Sequence, residues 1–68
     1  METSARNQLK GSIVSVTSGA VMAEITVDIG GAQVVAAITK ESAERLRLAE
    51  GMPVTAIIKA TDVMVGVG

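Results

Sequence analysis

Cysteine, histidine and all three aromatic residues are absent from this 68-residue sequence. Without cysteine the chain forms neither a disulfide nor a thiolate metal site, and a domain this small usually depends on such a staple or on self-association for its stability. We therefore expect a homo-oligomer. The missing histidine, cysteine and tyrosine also leave few groups for acid–base or nucleophilic catalysis, so we expect a binding protein and no enzyme.

Charge of one sign is scarce as well, because six Lys and Arg are balanced by seven Asp and Glu, for a formal net charge of −1. This balance does not predict a polybasic surface for nucleic acid or anionic lipid. An oligonucleotide-binding module is one alternative function, although such modules stack bases on aromatic side chains along a basic groove. A purely structural assembly subunit is the other alternative.

Long apolar runs are missing too. None approaches the roughly 20 residues of a membrane span, and residues 1–7 lack the apolar core of a signal peptide. We therefore expect a cytoplasmic protein with no membrane partner. Apolar residues nevertheless make up 49% of the sequence. Because they are small, they suit sheet faces that pack on other sheet faces, including those of neighbouring subunits.

Two periodicities divide the chain into predicted strands and one helix. Alternation of apolar and polar residues predicts strands over residues 8–16, 22–29, 32–38, 53–59 and 63–67. Thr39 stands where an N-cap belongs, and the change of period after it predicts a short helix of about two turns. Gly30 and Gly31 predict a tight hairpin, and Gly11 suggests a bulge or a bend in the first strand.

The resulting element order is β-β-β-α-β-β. This order predicts an all-β fold with one short helix, namely a five-stranded OB-like Greek-key barrel assembled as a homo-oligomer. A single domain over residues 1–68 is expected, since no repeat, linker or low-complexity segment divides the chain. An SH3-like barrel and a swapped-hairpin dimer are alternative architectures.

Three stretches contain hydrogen-bond donors without a neighbouring acidic residue that must face the same way. They are Ser4 and Arg6 before the first strand, Thr39 and Ser42 at the start of the helix, and Lys59 at the end of the fourth strand. Together they describe an anion site, because helix-start N–H groups, an arginine fork and a lysine charge all favour anions. Each also has an ordinary explanation: a helix cap, a solvated serine, a lysine that protects a sheet edge, and a terminal tail.

Acidic residues offer a weaker indication of a metal site. Glu24, Thr26 and Asp28 share one face of the second predicted strand and could hold a hard cation through oxygen. Alternating acids of this kind are far more often a solvated face. We therefore expect no metal cation site. For catalysis, no spacing in the sequence indicates a Ser–Lys dyad.

Three blocks of the sequence resemble a known family. They are SARNQLKGSIVSV at the front, AAITKESAERLRLAEG in the middle and VTAIIKATDVMVGV at the end. With the family's spacing between them, the chain is similar to the molbindins, or Mop proteins, over residues 4–67. The resemblance implies an OB-like barrel, a homohexamer built as a trimer of dimers, and molybdate or tungstate oxyanions buried at subunit interfaces. It also implies an intracellular storage role in molybdenum homeostasis, with no catalytic cofactor.

The resemblance further implies that the oxyanion site is divided between two subunits. Ser4 and Arg6 would come from one subunit, and Thr39, Ser42 and Lys59 from its neighbour. All five positions hold the residue type that the family pattern asks for. We therefore expect these side chains to be the principal donors to the anion.

Backbone groups complete the site that the resemblance implies, with the N–H groups of Ala5 and Lys40 as further donors. Molybdate is a tetrahedral dianion whose oxygens only accept hydrogen bonds, so its pocket should exclude carboxylates. Glu41 and Glu44 are therefore expected to point away. The family also has a second class of site near a three-fold axis, for which the TSGA turn at residues 17–20 is a candidate.

Overall fold

The computed structural model describes residues 2–68, so Met1, the first residue of the predicted domain, lies outside the described part. The elements formed by these residues are β1 (Asn7–Ser18), β2 (Met22–Asp28), β3 (Gln33–Thr39), α1 (Lys40–Arg45), β4 (Pro53–Ile58) and a 3-10 turn (Ala60–Asp62). The antiparallel sheet has the strand order β3-β2-β1-β4. A fourth strand that returns to lie beside the first is the Greek-key arrangement. The predicted all-β class with one short helix is confirmed.

The long strand β1 pairs with β4 through its first half and with β2 through its second half. Its bulge lies between Ile13 and Ser15, at Val14, and the prediction of a bulge at Gly11 was wrong. Gly11 instead allows a close approach, because a Cβ there would collide with the Asp28 carbonyl oxygen. The extra residue at Val14 also reverses the alternation, so that Val16 packs against the core.

The hairpin between β2 and β3 forms as predicted. Gly30 and Gly31 have φ angles of 87° and 94°, the left-handed values that a two-residue hairpin turn requires. The Ile29 N–H donates to the Ala32 carbonyl over 2.9 Å, and the Gly30 N–H donates to Asp28 Oδ1 over 2.8 Å. Asp28 therefore stabilises this turn.

The core lies on the concave side of the sheet, with α1 packed against β2 and β3. The buried residues of this core are Ile13, Ala23, Ile25, Val27 and Ala43. The alternation predicted for β2 is confirmed, because Ala23, Ile25 and Val27 are its three buried positions. The six-residue α1 is too short to cross a membrane, as is every helix formed by residues 2–68.

The predicted fifth strand is not among the strands formed by residues 2–68 of the single chain, so the five-stranded barrel is not confirmed. After β4 the chain makes a 3-10 turn, in which the Asp62 N–H donates to the Lys59 carbonyl over 2.9 Å. Residues 63–68 follow this turn and join none of the strand ladders described for residues 2–68. Met64 and Val65 are 95% and 92% exposed as a result.

Candidate functional site

Two of the predicted site residues meet at one corner of the sheet. Asn7 pairs with Ile58 in the last rung of the β1–β4 ladder, and its side-chain amide donates to the Ile58 carbonyl over 3.2 Å. Arg6 directly precedes Asn7 and Lys59 directly follows Ile58, so the antiparallel register brings both residues to the same corner of the sheet. Both are exposed. We call this pair the cationic corner, since two adjacent positive charges favour an anion there.

The segment before β1 is held against the protein by Ala5, which is 8% exposed. The Ala5 N–H donates to Thr3 Oγ1 over 3.2 Å, and its carbonyl accepts a hydrogen bond from Gln8 Nε2 over 3.4 Å. Ser4 directly precedes this anchor, Arg6 directly follows it, and both are exposed. The sequence SAR therefore forms a fixed arm and not a frayed end, although the Ala5 N–H already has a partner within the chain.

Thr39 and Ser42 form a hydroxyl pair at the start of α1. Thr39 Oγ1 accepts a hydrogen bond from the Ser42 N–H over 3.1 Å, which confirms the predicted N-cap. The same oxygen donates to Ser42 Oγ over 2.7 Å. A hydroxyl has one proton to donate, so the Thr39 proton is engaged while the Ser42 proton is left for another acceptor.

A cavity of about 470 Å³ with a mixed polar and apolar lining lies beside the hydroxyl pair. Its lining residues are Ala20, Val21, Thr39, Lys40, Glu41 and Glu44. Glu41 and Glu44, which are expected to point away from a bound anion, are thus both next to this cavity. The Lys40 N–H, an expected donor, is used by the Val21 carbonyl over 2.8 Å. Because carboxylates repel a dianion, this cavity does not by itself suit molybdate.

The cationic corner and the hydroxyl pair lie at opposite ends of β1. Thr39 pairs with Met22, and the adjoining residue Ala23 pairs with Ser18 at the end of β1. Arg6 directly precedes the start of the same strand. Within one chain, Lys59 thus lies at the same end of the sheet as Arg6. The resemblance instead groups Lys59 with Thr39 and Ser42 of the neighbouring subunit.

A second cavity, of about 530 Å³, opens between β3 and β4. Core side chains line it, and its surroundings are apolar, which does not suit an oxyanion. Sequence reasoning missed this cavity. Its signal was the apolar character of both β3 and β4, whose inward side chains are half-buried where a closed barrel would bury them.

The acidic face of β2 is exposed to solvent. Within residues 2–68, no three His, Cys, Asp or Glu side chains are grouped in a way that could hold a metal ion. Asp28 accepts the hydrogen bond from Gly30, and Glu24 is exposed opposite Ala37 and Thr17. This face is therefore solvated.

The TOBE domain family matches residues 3–65, which is nearly the whole sequence. The chain therefore belongs to the TOBE-domain family. Molybdenum-pterin-binding protein 3 of Clostridium pasteurianum is 50% identical over 66 residues, covering 96% of this chain and 97% of that protein. Identity at this level over both full lengths confirms the resemblance to the small Mop proteins.

Solved structures agree with the fold. A molybdate-binding protein from Sporomusa ovata has a TM-score of 0.91 and 43% identity, covering 96% of this chain and 97% of its own. ModG, described as a cytoplasmic molybdate-binding protein and solved with molybdate bound, has a TM-score of 0.93 and 38% identity. The match to ModG covers 100% of this chain and 49% of ModG.

Proposed function

We propose that this protein binds molybdate and tungstate as oxyanions and stores them, contributing to molybdenum homeostasis without catalysing a reaction. The observation that carries the proposal is the cationic corner, where the end of the β1–β4 ladder places Arg6 and Lys59 at one corner of the sheet. It is supported by relatives and solved structures whose names describe molybdenum-pterin and molybdate binding. The alternatives, an oligonucleotide-binding module and a purely structural subunit, have no comparable support.

The chemistry of the donors suits this ligand. Molybdate at neutral pH is a dianion with acceptor oxygens only, so it is bound by donors and repelled by carboxylates. Arg6 offers a planar fork, Lys59 a compact charge, and Ser4 and Ser42 hydroxyl protons. Sulfate asks for the same donors but is smaller, so we attribute selectivity to the size of the pocket. Tungstate is nearly isosteric with molybdate and binds comparably.

The site is shared between chains in this proposal. The cationic corner with Ser4 faces the hydroxyl pair, Thr39 and Ser42, of a second copy within a homohexamer built as a trimer of dimers. The separation of the two groups along β1 supports such sharing. We thus assign Lys59 to the same subunit as Arg6. The backbone N–H groups of Ala5 and Lys40 contribute only if they give up their present acceptors, Thr3 Oγ1 and the Val21 carbonyl.

The proposed cellular context is supported by the description of one relative and by composition. We propose that the protein acts in the cytoplasm, as the description of ModG suggests for that relative. A single TOBE domain, spanning residues 1–68, carries the function. Nucleic acid and membrane are not partners in this proposal, in line with a formal net charge of −1 and no aromatic residue.

Diffraction from tungstate-soaked crystals tests the proposed site. Tungsten scatters far more strongly than protein atoms, so its anomalous signal gives both the position and the number of bound anions. We expect a peak within hydrogen-bond distance of Arg6 and Lys59 of one copy and of Ser42 of another. Peaks that all lie away from the cationic corner would overturn the proposed site, and a soak with sulfate is the matched control.

A further inference from the structure

Two consecutive side-chain amides lie beside the cationic corner, and they bond different backbone segments. Asn7 Nδ2 donates to the Ile58 carbonyl over 3.2 Å, and Gln8 Nε2 donates to the Ala5 carbonyl over 3.4 Å. Both acceptors belong to the residue directly before a cation, which is Lys59 in the first case and Arg6 in the second. Neither amide has yet been given a role in the proposed anion site.

The β1–β4 ladder ends one residue short of both cations. Its last pair is Asn7 with Ile58, so Arg6 and Lys59 lie just outside it. In a planar peptide unit, the carbonyl of one residue moves together with the N–H of the next. The Ile58 carbonyl shares such a unit with the Lys59 N–H. The Ala5 carbonyl shares another with the Arg6 N–H. Each amide therefore holds the peptide unit that directly precedes a cation.

The other side of each cation is already ordered by the fold. The Lys59 carbonyl accepts a hydrogen bond from the Asp62 N–H over 2.9 Å, within the 3-10 turn. Arg6 is followed directly by Asn7, the first residue of β1. With the amide bonds in place, the backbone of each cation is held on both sides, while the two charged side chains are exposed.

We propose that Asn7 and Gln8 are positioning residues for the oxyanion site: Asn7 fixes the backbone of Lys59, and Gln8 fixes that of Arg6. An amide is neutral, so it orders the corner without a carboxylate that would repel a dianion or pair with a cation. Ordering both backbones before binding lowers the conformational cost of capturing the anion. This inference rests on the proposed function and adds two residues to the same site.

The variants Asn7→Leu and Gln8→Met test these roles in the full chain. Each removes an amide and keeps the charge and the approximate size of the side chain. Gln8 is exposed, so Gln8→Met loses no core packing. Gln33→Met removes an exposed amide from the start of β3, away from the β1–β4 ladder, and is the matched control. Circular dichroism checks that each variant is folded.

Calorimetric titration with molybdate measures the effect on binding. The loss of one hydrogen bond between neutral groups corresponds to a roughly fivefold change in an equilibrium constant. We expect Kd to rise about fivefold for Asn7→Leu and about threefold for Gln8→Met, whose hydrogen bond is longer. Gln33→Met should change Kd by less than about twofold. A parental Kd in either amide variant would overturn the proposal.

The Lys59→Ala background distinguishes positioning from direct contact with the anion. If Asn7 acts through Lys59, its amide has no charge left to position in this background, so adding Asn7→Leu should raise Kd by less than about twofold. Gln8→Met should keep its effect of about threefold there, because it acts on Arg6. An undiminished effect of Asn7→Leu would overturn the positioning role in favour of a direct donor or a general loss of structure.

Backbone dynamics of the anion-free protein test the positioning without molybdate. Measured by nuclear magnetic relaxation, the order parameter of the Lys59 N–H should fall by about 0.1 or more in Asn7→Leu, and that of the Arg6 N–H in Gln8→Met. In each variant the other cation should keep its parental value. Order parameters equal to those of the parent at both positions would overturn the proposal.

The two measurements separate this inference from the proposed function. If the parent binds no molybdate but the order parameters fall as expected, the proposed function fails, and the two amides remain positioning residues of the cationic corner. If the parent binds molybdate and both amide variants bind it equally well, the proposed function stands and the positioning role fails.

Discussion

Asn7 and Ile58 form the last rung of the β1–β4 ladder, and the Asn7 amide fastens this rung by donating to the Ile58 carbonyl over 3.2 Å. Arg6 directly precedes Asn7, and Lys59 directly follows Ile58. Their proximity is thus set by backbone pairing and does not depend on flexible side chains finding each other. For a dianion, a backbone that already brings the two residues to one corner leaves only their side chains to be ordered on binding.

Arg6→Ala should abolish tight molybdate binding and leave the fold intact. Arg6 precedes β1 and is exposed, so no core packing is lost, while the anion loses its bidentate donor. Titration calorimetry measures the binding, and circular dichroism measures the fold. Arg45→Ala, which removes an exposed arginine from the end of α1, is the matched control and should bind like the parent. Binding by Arg6→Ala at parental affinity would show that the cationic corner is not the site.

Ser42→Ala should weaken binding by about 1.5–3 kcal/mol, the contribution of one hydrogen bond to a charged partner. This corresponds to a roughly tenfold to hundredfold increase in Kd. The helix cap survives this substitution, because Thr39 Oγ1 accepts from the backbone N–H of residue 42. Thermal unfolding of the anion-free protein should therefore change little. Ser12→Ala, on the exposed face of β1, serves as the control, and equal Kd values for the two variants would exclude Ser42 as a donor.

Mixing Arg6→Ala with Ser42→Ala should restore part of the tight binding that each variant lacks alone. If the cationic corner of one copy faces the hydroxyl pair of another, refolding the two variants together creates some sites with both groups intact. Calorimetry on the mixture then detects a fraction of sites with parental affinity. Binding no tighter than that of the better single variant would mean that one chain supplies the whole site.

Gly11→Ala should destabilise the fold by about 1–3 kcal/mol, the usual cost of overpacking. The added Cβ meets the carbonyl oxygen of Asp28, a backbone atom that cannot move aside without disturbing the β1–β2 pairing. Urea unfolding of both variants at one protein concentration measures the loss. Gly66→Ala is the control, since no atom lies within 4 Å of its added Cβ, and an equal effect of the two would contradict the close approach.

Local patterns predicted the parts of the fold that depend on neighbouring residues. The alternation of β2, the hairpin at Gly30 and Gly31 and the cap at Thr39 are each determined within a few residues, and all three are confirmed. The bulge at Val14 could not be predicted in this way, because a valine at this position does not indicate an extra residue in the strand. The glycine at position 11 is visible in the sequence, but its cause is the close approach of a backbone atom that is distant in the sequence.

The arrangement of the candidate site depends on long-range pairing. Arg6 and Lys59 are 53 positions apart, and their proximity follows from the β1–β4 register, to which Gly51 and Met52 add hydrogen bonds with Ile13. Neither periodicity nor residue type reports that register. The types of donor residue could be identified from the sequence. Which of them lie at the same end of the sheet could not be predicted from it.

The most direct test of the account is a calorimetric titration of the full chain with molybdate, beside the same titration with sulfate. We expect saturable heat with molybdate, comparable heat with tungstate, and binding by sulfate that is at least a hundredfold weaker. At a free molybdate concentration of one hundred times Kd, the bound anion should also stabilise the fold by about 2.7 kcal/mol per site. Absence of saturable heat with molybdate, from protein shown by circular dichroism to be folded, would contradict the central claim.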